Sequence, residues 1–267
     1  MFLTSITWSA QPEIFQIGSF AIRWYGVLFA LGFAISYFIL VNFFKKEKIP
    51  VKLLDELTTY MVVATVIGAR LGHCLFYEPG YYLNRPIEIL KIWEGGLASH
   101  GAALAILLAV YLFSRKNKLS YWWAMDRVAL VTALAGFFIR MGNLMNSEIF
   151  GKPTTLAWGF IYENASYPDQ RLQPRHPTQI YEALAYLLIF FILLWTYKRN
   201  NGKPREGSLI SLFLILIFAA RFFIEFVKEP QVGFESGLAL NLGQILSIPF
   251  ILAGSAGLYF IYRKKRV

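Results

Sequence analysis

Long apolar stretches alternate along this chain with short clusters of lysine and arginine. Seven stretches, at about 22–44, 57–76, 97–113, 122–140, 178–197, 207–227 and 240–262, approach or exceed the roughly 20 residues that carry a helix across a bilayer. The third is the shortest and is flanked by glycines, so it is expected to lie against protein rather than lipid. The pattern predicts an all-α integral membrane protein with seven transmembrane helices, forming a single transmembrane domain over 1–267. The connection from about 141 to 177 is different: it is long, rich in Asn, Pro, Tyr and Trp, and too hydrophobic for a disordered linker. It is expected to fold as a cap, since ordered loops of such length are more often functional than not. The segment from Ile6 to Phe20 is aromatic and aliphatic with few charges, and is expected at the membrane interface.

Composition agrees with the pattern. Of the 267 residues 57% are hydrophobic and 16% charged, against about 25% charged in soluble proteins, and the mean hydropathy is +0.49. A soluble enzyme, a disordered tail and a disulfide scaffold are excluded. The net charge of +10 would suggest nucleic acid in a soluble domain. Here the charges punctuate apolar runs, which fits topology and anionic lipid and leaves no nucleic-acid partner. Fifteen basic residues fall on one side, at 45–52, 115–118, 198–205 and 263–266, and six on the other. By the positive-inside rule the N-terminus is outside, the C-terminus cytoplasmic, and the cap a small outward-facing head. The one cysteine, Cys74, excludes an internal disulfide and a multi-cysteine metal site. No cleavable signal peptide is expected, because 1–22 has no basic n-region and no small-residue cleavage site.

Five basic residues lie within the spans, and all are arginine: Arg23, Arg70, Arg127, Arg140 and Arg221. Arg127 sits near the cytoplasmic end of its span and is expected to snorkel. The other four lie in the outward halves, level with His100, His176, Gln179 and Glu182 at the starts of returning spans. Buried ionisable groups are costly unless paired or wet, so this convergence predicts a water-filled functional cavity just below the outer surface. Guanidinium forks bind phosphate bidentately, and the phosphate at that depth belongs to a phospholipid. His100, His176, Tyr25, Tyr181, Glu148 and Glu182 supply groups that move protons. His73 and Cys74 read as packing. Neither G-x-S-x-G nor H-E-x-x-H occurs, which removes the main support for a serine hydrolase or zinc protease. The spacing R-x-G-[HN]-x4-E occurs twice, at Arg70–Glu78 and Arg140–Glu148, as a parallel duplication or a chance likeness of two span ends would produce.

The stretch Arg140-Met141-Gly142-Asn143-Leu144-Met145-Asn146-Ser147-Glu148-Ile149-Phe150-Gly151 resembles the signature of the prolipoprotein diacylglyceryl transferase family. Companion stretches follow the family's order over about 23–231: Arg23-Trp24-Tyr25-Gly26, Gly68-Ala69-Arg70-Leu71-Gly72, Gly95-Gly96 with His100-Gly101, Arg175-His176-Pro177 through Glu182, and Arg221 through Phe226. The resemblance implies a seven-span enzyme of the bacterial cytoplasmic (inner) membrane, with its active site near the outer leaflet. Its partners would be phosphatidylglycerol, the preprolipoprotein signal peptide and membrane lipid, with no cofactor and no metal. It would move the diacylglyceryl group of phosphatidylglycerol onto the lipobox cysteine thiol, forming a thioether and releasing glycerol phosphate. The resemblance further implies catalytic roles for His100, Arg140 and Arg221. It implies substrate binding by Tyr25, Arg70, Asn143, Asn146, Glu148, Gly151, Glu225 and Lys228. The chain departs from the family pattern at His73, Ile139, Leu144 and Ile217, and in having Lys rather than Arg at 228. The alternative reading is a transporter or flippase for a lipid or other anion. It fits less well, because the inner halves of the spans carry few polar groups.

Overall fold

The computed structural model describes residues 5–18, 20–166, 168–229 and 240–263. Among these lie four short strands, β1 (Ile6–Trp8), β2 (Glu13–Ile17), β3 (Phe20–Arg23) and β4 (Phe160–Tyr162). The helices are α1 (Trp24–Lys46), α2 (Val51–Phe76), α3 (Pro79–Asn84), α4 (Ser99–Asn117), α5 (Tyr121–Met145), α6 (Thr178–Arg199), α7 (Ser208–Ile224) and α8 (Leu242–Arg263). Six helices among the described residues are long and apolar enough to cross a membrane: α1, α2, α5, α6, α8, and α7 continued to Val227. The protein is a predominantly helical, multi-pass integral membrane protein. The third stretch read from the sequence forms α4, a helix of 19 residues. It opens on Ser99-His100-Gly101 and closes on Ser114-Arg115-Lys116-Asn117, so its apolar part is confined to 102–113 and it stands outside the six. The tail cluster beyond Arg263 lies outside the described residues.

The chain forms two compact units, one from 40 to 125 and the other from the residues up to Ile39 and from Asp126 onward. In the first, α4 packs along α2 through glycines. A Cβ on Gly72 would stand 2.7 Å from the Gly101 Cα, and one on Gly68 would stand 2.6 Å from the Gly101 carbonyl oxygen. Only hydrogen side chains let two helix backbones meet so closely.

In the second unit the same device joins α1 to α5. A Cβ on Gly142 would lie 2.7 Å from the Tyr25 ring, and one on Gly32 would lie 3.1 Å from Phe138. Phe218 of α7 stacks on Phe250 of α8 with ring centroids 4.3 Å apart. The buried carboxylate of Asp126 accepts hydrogen bonds from the Gly207 and Ile210 amides, both at 2.9 Å. A side chain of α5 thereby satisfies amides that the α7 N-terminus leaves open. Arg127 does not snorkel. It is 3% exposed, donates from Nη2 to the Gly202 carbonyl at 3.5 Å and lies 5.8 Å over the Tyr197 ring, so the turn after α6 supplies the partners that solvent would otherwise provide.

Residues after α5 fold with the N-terminal strands. β1 pairs in parallel with β4, Ile6 opposite Phe160 and Trp8 opposite Tyr162. Leu144, Phe150, Phe160, Tyr162 and Ala165 form a small core, against which Trp8, Met141 and Ile180 pack. The Trp8 indole donates to the Leu144 carbonyl at 3.0 Å, which ties β1 to the end of α5.

Candidate active site

Arg140, Asn143 and Asn146 recur every three residues at the C-terminal end of α5, so they share one side of the helix. The helix ends with Ser147 and Ile149 both at positive φ, 52° and 58°. That double turn folds Glu148 back onto the side it has just left. One Glu148 carboxylate oxygen accepts from Asn143 Nδ2 at 2.8 Å and from Asn146 Nδ2 at 3.1 Å. Asn143 Oδ1 in turn accepts from Arg140 Nη1 at 3.1 Å. The start of α6 holds the turn in shape: Gln179 Nε2 donates to the Glu148 carbonyl at 2.7 Å and Thr178 Oγ1 to the Ile149 carbonyl at 3.0 Å. Tyr162 donates its hydroxyl to Gln179 Oε1 at 3.0 Å, and burial pushes that hydroxyl well above the ordinary phenol range, so it stays a donor.

Gly151 closes the turn. Its amide donates to the His176 carbonyl at 2.8 Å and its backbone bridges Lys228. A Cβ there would stand 2.7 Å from Thr178 Cγ2 and 2.8 Å from His176 Cβ, as well as meeting the Val227 carbonyl, so no side chain fits. Arg175, 4% exposed, pins the neighbouring strand-like segment through Glu229 at 2.7 Å. Burial lowers the His176 pKa, and its Nδ1 lies 3.3 Å from the Tyr181 hydroxyl.

A second layer stands behind Arg140. Its Nε lies 2.8 Å from Glu182 Oε2, close but poorly aligned as a hydrogen bond. The other Glu182 oxygen accepts from Lys228 Nζ at 3.0 Å, and Lys228 lies 3.9 Å from Glu225. The Tyr186 hydroxyl stands within electrostatic reach of both Arg140 and Arg221. The Nε of Arg221 is buried without a hydrogen-bond partner among the described residues. Glu225 packs on Gly243, where a Cβ would meet its carboxyl carbon at 2.5 Å. Tyr25 borders a cavity of about 490 Å³ together with Arg23, Gly26 and Asn146.

The structure therefore brings Arg140, Asn143, Asn146, Glu148, Glu225 and Lys228 into linked contacts, with Tyr25, Gly151 and Arg221 beside them in the same unit. His100 and Arg70 belong to the other unit. His100 is exposed at the second residue of α4. Glu182 and Tyr186 are the residues that the expected substrate set omitted. Their signal is the buried stripe Thr178, Gln179, Glu182, Ala183 and Tyr186 along α6, polar where an apolar face would be ordinary. Among the described residues no three His, Cys, Asp or Glu side chains gather as a metal site.

A family model described as prolipoprotein diacylglyceryl transferase matches residues 12–260. The chain belongs to this family. It is 49% identical over 248 residues to a phosphatidylglycerol–prolipoprotein diacylglyceryl transferase of Tolumonas auensis, covering 92% of this chain and 94% of that protein. A protein of the same name from Bacteroides fragilis is 42% identical over 277 residues, covering 99% of this chain and 98% of its own length. One from Chloroherpeton thalassium is 47% identical over 251 residues, covering 93% and 91%. The family model spans the α5–α6 turn and both layers behind it.

Proposed function

We propose that this protein transfers the diacylglyceryl group of phosphatidylglycerol to the lipobox cysteine of preprolipoproteins. The observation that carries the reading is the chain Arg140–Asn143–Glu148 backed by Glu182 and Lys228: a guanidinium held in place before any substrate arrives. Preorganised donors of this kind stabilise charge that develops in a transition state without reorganising. Arg140 and Arg221 hold the lipid phosphate. The cysteine sulfur bonds to the glycerol carbon as the bond from that carbon to the phosphate oxygen breaks. The electron pair leaves with glycerol phosphate, and the thiol proton passes to a base with the help of His100. An unperturbed thiol, with pKa about 8.5, is mostly protonated at neutral pH, which is why a base is needed.

The reading includes a topology. All seven apolar helices, α4 among them, span the bacterial inner membrane as one domain with the N-terminus outside and the C-terminus cytoplasmic. The 141–177 segment caps the outward side, and the site opens near the outer leaflet. Tyr25, Asn146, Gly151 and Glu225 line or shape the substrate cavity.

The test is a reconstituted assay with purified protein, labelled phosphatidylglycerol and a lipobox peptide carrying cysteine or serine. Label should reach the cysteine peptide alone and be lost with Arg140→Ala. No transfer by a folded sample beside an active control would defeat the proposal and bring a lipid transporter to the front.

A further inference from the structure

The resemblance puts Arg70 among the substrate-binding arginines, but its surroundings differ from those of Arg140. Arg70 is 3% exposed, and its fork is spent on main chain. Nε donates to the Ile89 carbonyl at 2.9 Å, Nη2 to Glu88 at 2.6 Å, and Nη1 to Gly95 at 2.6 Å and Gly96 at 3.4 Å. The guanidinium also lies 5.0 Å over the Tyr82 ring. These four bonds leave one of the five guanidinium N–H donors, so a phosphate bound bidentately here would have to displace a carbonyl that is then left without a donor.

The gripped segment has little else to hold it. Between α3 and α4 the chain makes only two short 3-10 turns. Its large apolar side chains face outward, Ile87 74%, Leu90 72% and Trp93 76% exposed. Gly95 and Gly96 sit at φ 90° and 67°, and a Cβ on Gly96 would stand 2.5 Å from the His73 ring and 2.9 Å from Arg70 Nη1. The Ala98 amide then donates to the Ala69 carbonyl at 2.9 Å, two residues before His100.

We propose that Arg70 is a positioning residue: it grips the main chain of 88–96, thereby fixes the start of α4 where His100 stands, and does not bind the lipid phosphate. The inference rests on the proposed role of His100. Its test uses the full chain in phosphatidylglycerol-containing nanodiscs, with variants Arg70→Lys, Arg70→Gln, Gly96→Ala and His100→Ala. Transfer kinetics and amide hydrogen exchange over 88–98 are read separately. Lysine offers one point charge and cannot span four carbonyls, so Arg70→Lys should behave like Arg70→Gln. In both, kcat should fall at least about tenfold while KM for phosphatidylglycerol stays within about twofold, and exchange over 88–98 should quicken. Gly96→Ala, which leaves Arg70 in place but crowds its grip, should do the same. A rise of about tenfold in KM with kcat and exchange unchanged would make Arg70 a phosphate ligand and overturn the inference. Faster exchange with unchanged kcat, beside an inactive His100→Ala, would also overturn it. Full activity of His100→Ala would remove the reading beneath, while the exchange data still decide whether Arg70 holds the segment.

Discussion

At the scale of single residues the site depends on amide polarity. Asn143 sits between a guanidinium and a carboxylate, with Oδ1 toward Arg140 and Nδ2 toward Glu148. Flipping the amide would set oxygen against the carboxylate and nitrogen against the guanidinium. Asn143→Asp makes that clash permanent and removes one charge-assisted hydrogen bond. The expected cost is about 1.5–3 kcal/mol, or roughly ten- to a hundredfold in kcat/KM. Wild-type transfer by that variant would show that the contact carries nothing. Glu182, 1% exposed, separates two cations, so Glu182→Gln leaves Arg140 and Lys228 underpaired in the interior. Breaking a buried pair from one side costs about 3–5 kcal/mol, and thermal unfolding in detergent should register it beside a loss of transfer. His176 gives a pH signature. Burial holds its pKa below the usual value of about 6.5. The folded state therefore disfavours the proton, and this contribution to stability is lost as pH falls below about 6.5 toward the folded pKa. With three histidines in the chain, an imidazole NMR titration resolves it directly; a midpoint above 6.5 for His176 would contradict the burial argument.

Elements were legible where one apolar period ran without interruption, and less so where polar residues joined the helix. The stretch read as 122–140 stops at Arg140, yet α5 continues to Met145 because arginine and asparagine remain helical once neighbours satisfy them. Likewise α2 begins at Val51, ahead of the apolar run, with Lys52, Asp55 and Glu56 in its first turns. The pairing of β1 with β4 was not legible at all, because three-residue strands so far apart leave no local trace of their partner. The repeated R-x-G-[HN]-x4-E spacing has a partial counterpart in space. Asn143 reaches Glu148 at 2.8 Å, and His73 reaches Glu78 at 3.6 Å. The two arginines differ, one spent on carbonyls and the other on side chains. The family signature put Gly151 among the substrate-binding residues, and the structure supplies a packing reason for a glycine there. With Thr178, His176 and Val227 closed around it, Gly151→Ala should lower stability by about 1–3 kcal/mol through overpacking. Because the displaced strand-like segment carries Lys228, transfer should fall with it. A variant as stable and active as wild type would mean that the turn yields more readily than its contacts suggest.

For the whole molecule the open quantity is the path through the bilayer, and α4 decides it. Among the described residues six helices meet the length and hydropathy of a span, and an even count would leave both termini on one side. With α4 crossing as well, the clusters at 45–52, 115–118, 198–205 and 263–266 all face the same compartment. Without it, the cluster at 45–52 parts from the later three, against the positive-inside bias. Cysteine labelling separates the two paths, and the native Cys74 offers little background because it is fully buried. Cysteines replacing Lys116 and Lys203, both exposed, should react only with reagents that reach the cytoplasm. Those replacing Arg85 and Thr155 should react with impermeant reagents from outside. If the Lys116 position labels from the same side as Arg85, α4 does not cross. Arg140 and the 141–177 segment would then face the cytoplasm, and the outward-facing site proposed above would fall.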